Sequence, residues 1–178
     1  MAEEKTLASG TLVIGLGRFG SAVALTLDKL GYEVLAVEKD SRRVQQFSGR
    51  IPVVEADASS LEALNQLGAR DFYSAVVGIG SSLEASVLIT ANLVDIGMTN
   101  IWAKAISREH SRILRRIGAQ HVVAPEFDAG QRTAHLVGGR MIDYIEMDKD
   151  GFAIMKLRPP KEVCGFTLSE LDLRGRYG

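Results

Sequence analysis

Short apolar, β-branched runs alternate with amphipathic stretches of helical period from Leu12 to about residue 124. Strand-like runs fall at 12–15, 33–38, 53–56, 75–79, 100–104 and 121–124. Helix-like stretches lie between them at 19–30, 41–48, 61–67, 83–96 and 109–117. Several of the helical stretches stop at a glycine (Gly31, Gly68, Gly97, Gly118), as a left-handed helix cap requires. Ala75-Val76-Val77 is apolar at every position, which predicts a strand buried on both faces. Alternation of this kind with short links predicts a doubly wound parallel sheet with helices on both sides.

The pattern changes near Pro125. A helix-like stretch at 128–137 ends at Gly138-Gly139, and alternating runs at 142–146 and 152–157 follow. The Asp148-Lys149-Asp150-Gly151 segment between those runs reads as a hairpin turn. Pro159-Pro160 then breaks regular structure, and 167–177 reads as the opening of a further unit that is cut off. The expected division is a tail at 1–10, a nucleotide-binding domain at 11–138, and an extension at 139–178 holding a linker, a hairpin and the start of another domain.

Composition narrows the function classes. The chain has 178 residues, 46% of them hydrophobic, which is ample for one buried core. A net charge of −1 leaves no electrostatic footprint for nucleic acid or an anionic membrane. The longest apolar candidate, 85–96, is interrupted by Thr90, Asn92 and Asp95, well short of the roughly 20 residues of a membrane span. The opening MAEEKTLASG is polar and acidic, unlike a secretory leader. Cys164 is the one cysteine, so no internal disulfide forms and a reducing cytoplasm is expected. Trp102, on a strand-like run, is expected in the core.

The chemistry is concentrated at predicted strand ends. Gly15-Leu16-Gly17-Arg18-Phe19-Gly20 joins the first strand to the first helix. A GxGxxG turn in this position aims backbone N–H groups and the positive end of the helix dipole at one point, where a diphosphate is held. Gly15 permits the tight turn, Gly17 the approach of phosphate, and Gly20 close packing of helix on strand. Glu38 ends the next strand and can accept hydrogen bonds from an adenosine ribose; its charge disfavours a 2′-phosphate, so NAD or an adenine nucleotide is expected over NADP. Asp57, with a backbone amide beside it at Ala58, either meets the edge of adenine or caps the helix that follows. Gly78-Ile79-Gly80-Ser81 leaves room at the end of the fourth strand, while Arg18 and Lys104 stand where they could neutralise phosphate.

Catalytic signatures are missing. His110, His121 and His135 lack metal-ligand spacing, and Tyr73 and Tyr144 are followed four positions on by Val77 and Asp148, so neither makes a Tyr-x-x-x-Lys pair. There is no G-x-S-x-G and no CxxC. Binding without chemistry is the expectation. The alternative is the nucleotide-binding part of an NAD-dependent oxidoreductase that lacks its catalytic domain.

Taken together, "VIGLGRFG", "LAVEKD", "EADASS", "IWAKA", "IGAQHVVAPEFDAG" and "LDLRGRYG" resemble the RCK domains (regulators of K⁺ conductance) of the TrkA and KtrA type. The resemblance implies a Rossmann-like α/β domain with a short hairpin-containing C-terminal extension, binding ATP, ADP or NAD(H). It also implies dimers assembling into an octameric ring, on the cytoplasmic side of a membrane K⁺-translocating subunit whose flux the ring gates. Carried over to these positions, Gly15, Gly17 and Gly20 bind phosphate, Glu38 ribose and Asp57 adenine, with Arg18 and Lys104 near the terminal phosphates. Glu126 matches an acidic position at the dimer interface associated with a cation, Mg²⁺ or Na⁺, that accompanies ATP.

Overall fold

Six short strands pair in parallel: β1 (Thr11–Ile14), β2 (Val34–Glu38), β3 (Val53–Glu55), β4 (Ser74–Val77), β5 (Ile101–Lys104) and β6 (His121–Val123). The computed structural model describes residues 10–139, 141–147 and 152–177; the expected tail at 1–10, except its last residue, and the hairpin turn at 148–151 lie outside the described residues. Strand order is β3-β2-β1-β4-β5-β6. The chain therefore winds outward from β1 in one direction and from β4 in the other, and the order reverses between those two strands. This is the doubly wound, Rossmann-like sheet that the alternation predicts.

Helices occupy the connections: α1 (Arg18–Lys29), α2 (Ser41–Phe47), α3 (Leu61–Gln66), α4 (Leu83–Asp95) and α5 (Arg108–Ile117). Right-handed crossovers running in opposite directions put their helices on opposite faces of the sheet. Ala24 of α1 and Phe47 of α2 pack with Val13, Ala36 and Val76 on one face. Leu64 of α3, Ile89 and Leu93 of α4, and Leu114 of α5 pack with Leu12, Ala75 and Ile101 on the other. Each large side chain fully buried in this way contributes about 1.5–3 kcal/mol.

Trp102 departs from expectation: it is 40% exposed and stacks on His121 with ring centroids 4.0 Å apart. Its strand neighbours Ile101 and Ala103 point into the α3–α5 core and are fully buried. Period-2 alternation turns Trp102 to the other face. There the packed helices of the first unit, α1 and α2, cover β1 to β4 and leave the β5–β6 end open.

The chain divides into two compact units, 1–125 and 126–178. In the second, β7 (Met141–Glu146) pairs antiparallel with β8 (Ala153–Leu157), giving the hairpin read from the alternating runs. Helix α6 (Pro125–Val137) begins earlier than the pattern suggested, with proline as its first residue and Glu126 and Asp128 in its first turn, all favourable at a helix start. Two short helices, α7 (Leu168–Leu171) and α8 (Leu173–Tyr177), close the described chain. No helix among the described residues is long and apolar enough to cross a membrane.

His110 carries a pH dependence. Its ring is fully buried in the first turn of α5, its Nδ1 accepts from the Ile106 amide at 3.4 Å, and its Nε2 has no partner among the described residues. Burial pushes the imidazole below its ordinary value of 6.5. The folded state then binds fewer protons than the unfolded one as pH falls through 6.5, so this contribution to stability is complete above that pH and is lost below it. Melting curves at pH 5.5 and pH 7.5 will show a lower Tm at the acid value, and His110→Leu will shrink the difference. An equal pH response in both proteins would assign the acid sensitivity to carboxylates.

Candidate functional site

The turn from β1 into α1 is built on three glycines that packing accounts for. Gly15 has φ +89°, a left-handed conformation that glycine alone adopts without strain, and its amide donates to the Val37 carbonyl at 2.8 Å. A Cβ on Gly20 would lie 1.9 Å from the Gly15 carbonyl oxygen. One on Gly78, at the end of β4, would lie 3.1 Å from that same oxygen and from the Gly20 Cα. Gly78 is thus occupied with seating the loop.

Gly17 is different. Its φ of −68° suits any residue, and a Cβ there would meet only the Arg43 Nη1, at 4.0 Å. Gly17 is also the N-cap of α1, where it has no side chain to bond the first-turn amides. Helices α2, α3, α4 and α5 each have such a cap, supplied by Asp40, Ser60, Ser82 and Ser107. The first-turn N–H groups of α1 therefore face open space across a residue without a side chain. That combination suits an anion.

Glu38 closes the loop from the side. It is 7% exposed, and its Oε2 accepts from the Leu16 amide at 2.7 Å. Its Oε1 accepts from the amides of Lys39 and Asp40 at 2.9 and 3.0 Å. The Arg43 guanidinium stands 3.7 Å from Oε2. The carboxylate expected to take a ribose is thus a structural tie between the glycine loop and β2. A carboxylate oxygen has two lone pairs, which leaves Oε2 capacity for a ligand hydroxyl.

The remaining candidates take distinct positions. Asp57 accepts from Lys39 Nζ at 2.6 Å and from the Ser59 hydroxyl and amide at 2.6 and 3.0 Å. Lys39 first, then Ser59, hold its carboxyl down at about 2. Asp57 shapes the turn before α3, and Ser60 is the residue that caps that helix. The Ala58 methyl joins the core, and half-buried Phe19 packs against the α1–α2 cluster. Lys104 is buried at the end of β5, with its Nζ 3.1 Å from where a Gly80 Cβ would stand. Gly80 therefore makes room for that lysine. Arg18 is exposed at the first position of α1. Glu126 lies in the first turn of α6, in the second unit. No group of three His, Cys, Asp or Glu among the described residues could hold a metal, and Glu126 brings a single carboxylate, a hard oxygen ligand, toward a cation.

Two residues of this site were not singled out from the sequence: Lys39, which engages Asp57, and Arg43, which reaches both Glu38 and Gly17. The available signal was Arg42-Arg43 in the first turn of α2, a place that favours acids.

The glycines separate fold from function. Gly20→Ala drives a methyl into backbone and will lower Tm severely or prevent folding. Gly17→Asp will keep its Tm, measured by calorimetry, and lose anion binding, because a charged side chain then fills the open approach. Glu38→Ala leaves the buried Leu16 amide without its acceptor, which costs about 1–3 kcal/mol. Urea titration should register that loss in the ligand-free protein; an unchanged midpoint would mean water replaces the carboxylate.

A family model described as the TrkA-N domain matches residues 11–125. The chain is 35% identical over 168 residues to Ktr system potassium uptake protein C of Bacillus subtilis, covering 93% of this chain and 76% of that protein. It is 34% identical over 168 residues to Ktr system potassium uptake protein A of the same organism, covering 93% and 75%. Among solved structures, GsuK bound to ADP aligns with a TM-score of 0.62 at 24% identity, over 76% of this chain and 34% of that one. The GsuK channel bound to NAD aligns at 0.58 and 15%, over 69% and 22%. Those two likenesses carry the fold; the family model and the curated relatives carry the kinship, and the chain belongs to the TrkA-N (RCK) domain family.

Proposed function

We propose that this chain is a nucleotide-sensing regulatory component of a potassium transport system, and not an enzyme. The observation that carries it is Gly17: a glycine without a steric reason, at the one uncapped helix start among α1–α5, beside a buried carboxylate at the carboxyl ends of the strands. Ligands of open α/β sheets bind where strand order reverses, here between β1 and β4. ADP and NAD, named as bound in the two GsuK structures, share an adenosine diphosphate that matches a diphosphate at the loop and a ribose at Glu38. The relatives named as potassium uptake proteins supply the setting.

In this reading the chain acts through a membrane K⁺-translocating subunit from the cytoplasmic side, as dimers within an octameric ring. Regulation requires that nucleotides differ in their affinity for two states of that assembly, since a ligand bound equally by both shifts nothing. ATP and ADP differ by one phosphate. Arg18, exposed at the start of α1, is the residue assigned to that difference, and Lys104 supports the phosphates from β5. A cation such as Mg²⁺ or Na⁺ would take Glu126 as one ligand.

Calorimetric titration of ATP and ADP, with and without Mg²⁺, tests this. The wild-type protein binds both and does not turn over NADH. Arg18→Ala weakens ATP by about tenfold more than ADP, the scale of one charge-assisted hydrogen bond. Glu126→Gln removes any gain in ATP affinity that Mg²⁺ produces. Equal losses for both nucleotides in Arg18→Ala would reduce Arg18 to an ordinary loop residue.

A further inference from the structure

Resting on the nucleotide reading above, we propose that Arg43 is a direct ligand of the 5′-phosphate, so that the site selects phosphorylated adenosine over the bare nucleoside. The Arg43 Nη1 lies 3.7 Å from Glu38 Oε2 and 4.0 Å from the point a Gly17 Cβ would occupy. It therefore stands between the carboxylate assigned to the ribose and the glycine that opens the phosphate approach. In every adenine nucleotide the group connecting those two parts is the 5′-phosphate, esterified to the ribose on one side and lying at the loop on the other.

Arg43 has little other purpose in this position. Its contact with Glu38 is longer than a hydrogen bond, and the Glu38 oxygens already accept from the amides of Leu16, Lys39 and Asp40. The pair is open on the arginine side, whose side chain is 50% exposed against 9% for Glu38, so water and a ligand can both reach the guanidinium. Arg43 also lies in the first turn of α2, where the helix's own partial charge opposes a cation, and the acids near it, Glu38 and the N-cap Asp40, are taken up by backbone amides. An arginine whose neighbouring carboxylates are taken up by backbone amides, with its planar fork half exposed, suits an anion from outside the chain. Glu38 contributes here as well. Its contact with the guanidinium, at 3.7 Å, is longer than a hydrogen bond, so the Arg43 N–H donors stay available for phosphate.

The same geometry sets Arg43 apart from Arg18. Arg18 is assigned to the last phosphate and distinguishes ATP from ADP. Arg43 meets the first phosphate, which AMP, ADP, ATP and NAD all carry, and so contributes to each of them alike.

The test is calorimetric titration of adenosine, AMP and ADP into the wild-type protein, Arg43→Gln and Arg43→Lys, with Tm as the folding control. Arg43→Gln is expected to weaken AMP and ADP by about tenfold each while adenosine is unchanged. Arg43→Lys, which keeps the charge and loses the fork, falls between. Unchanged AMP affinity in Arg43→Gln overturns the assignment and leaves the nucleotide site standing. An equal loss for adenosine and AMP also overturns it, by placing the action of Arg43 at the ribose through Glu38. A wild-type protein that binds neither AMP nor ADP overturns the nucleotide reading, and this assignment with it.

Discussion

The backbone of the β1–α1 turn, the start of α1 and the end of β4 meet at a point too crowded for any side chain. The Gly15 carbonyl oxygen sits 1.9 Å from where Gly20 would carry a Cβ and 3.1 Å from where Gly78 would. Since β1 and β4 are the strands between which order reverses, this contact joins the two halves of the sheet at their common edge. It also directs the start of α1 toward the opening between them. Strand pairing, helix docking and the open amides of α1 all follow from three residues without side chains.

Much of the architecture was legible because the causes were local. Strands buried on both faces read as unbroken apolar runs, and the intervening helices carry their own start signals in Asp40, Ser60, Ser82 and Ser107. The glycine loop was legible for the same reason: spacing alone put it between a strand and a helix. Trp102 was misjudged because its burial depends on how far α1 and α2 reach across the sheet, which is not encoded near position 102. Asp57 could not be resolved from sequence either, since its partner Lys39 comes from the end of a neighbouring strand and Ser60 takes the capping role. Arg43 is five residues from Glu38 in the chain, and only the turn after β2 and the rise of α2 bring the two within 3.7 Å.

The site joins two kinds of electrostatics that usually oppose each other. Glu38 is a buried anion, made tolerable by amides from its own strand end and from the glycine loop. Arg18 lies exposed at the start of α1, and the Arg43 guanidinium stands 3.7 Å from the carboxylate. The carboxylate is satisfied by backbone, and its contact with Arg43 stays longer than a hydrogen bond. The cleft keeps a positive rim over a negative floor, an arrangement matched by a ligand with a hydroxyl-bearing sugar at one end and phosphate at the other.

The stack of Trp102 on His121 has a use apart from structure. Trp102 is the protein's one tryptophan, half open to solvent, pressed against an imidazole, and two residues before Lys104 on the same strand. The chain therefore carries a built-in fluorophore on the strand that ends in the cleft. Its emission reports the β5–β6 edge without any label, against a background free of other indoles.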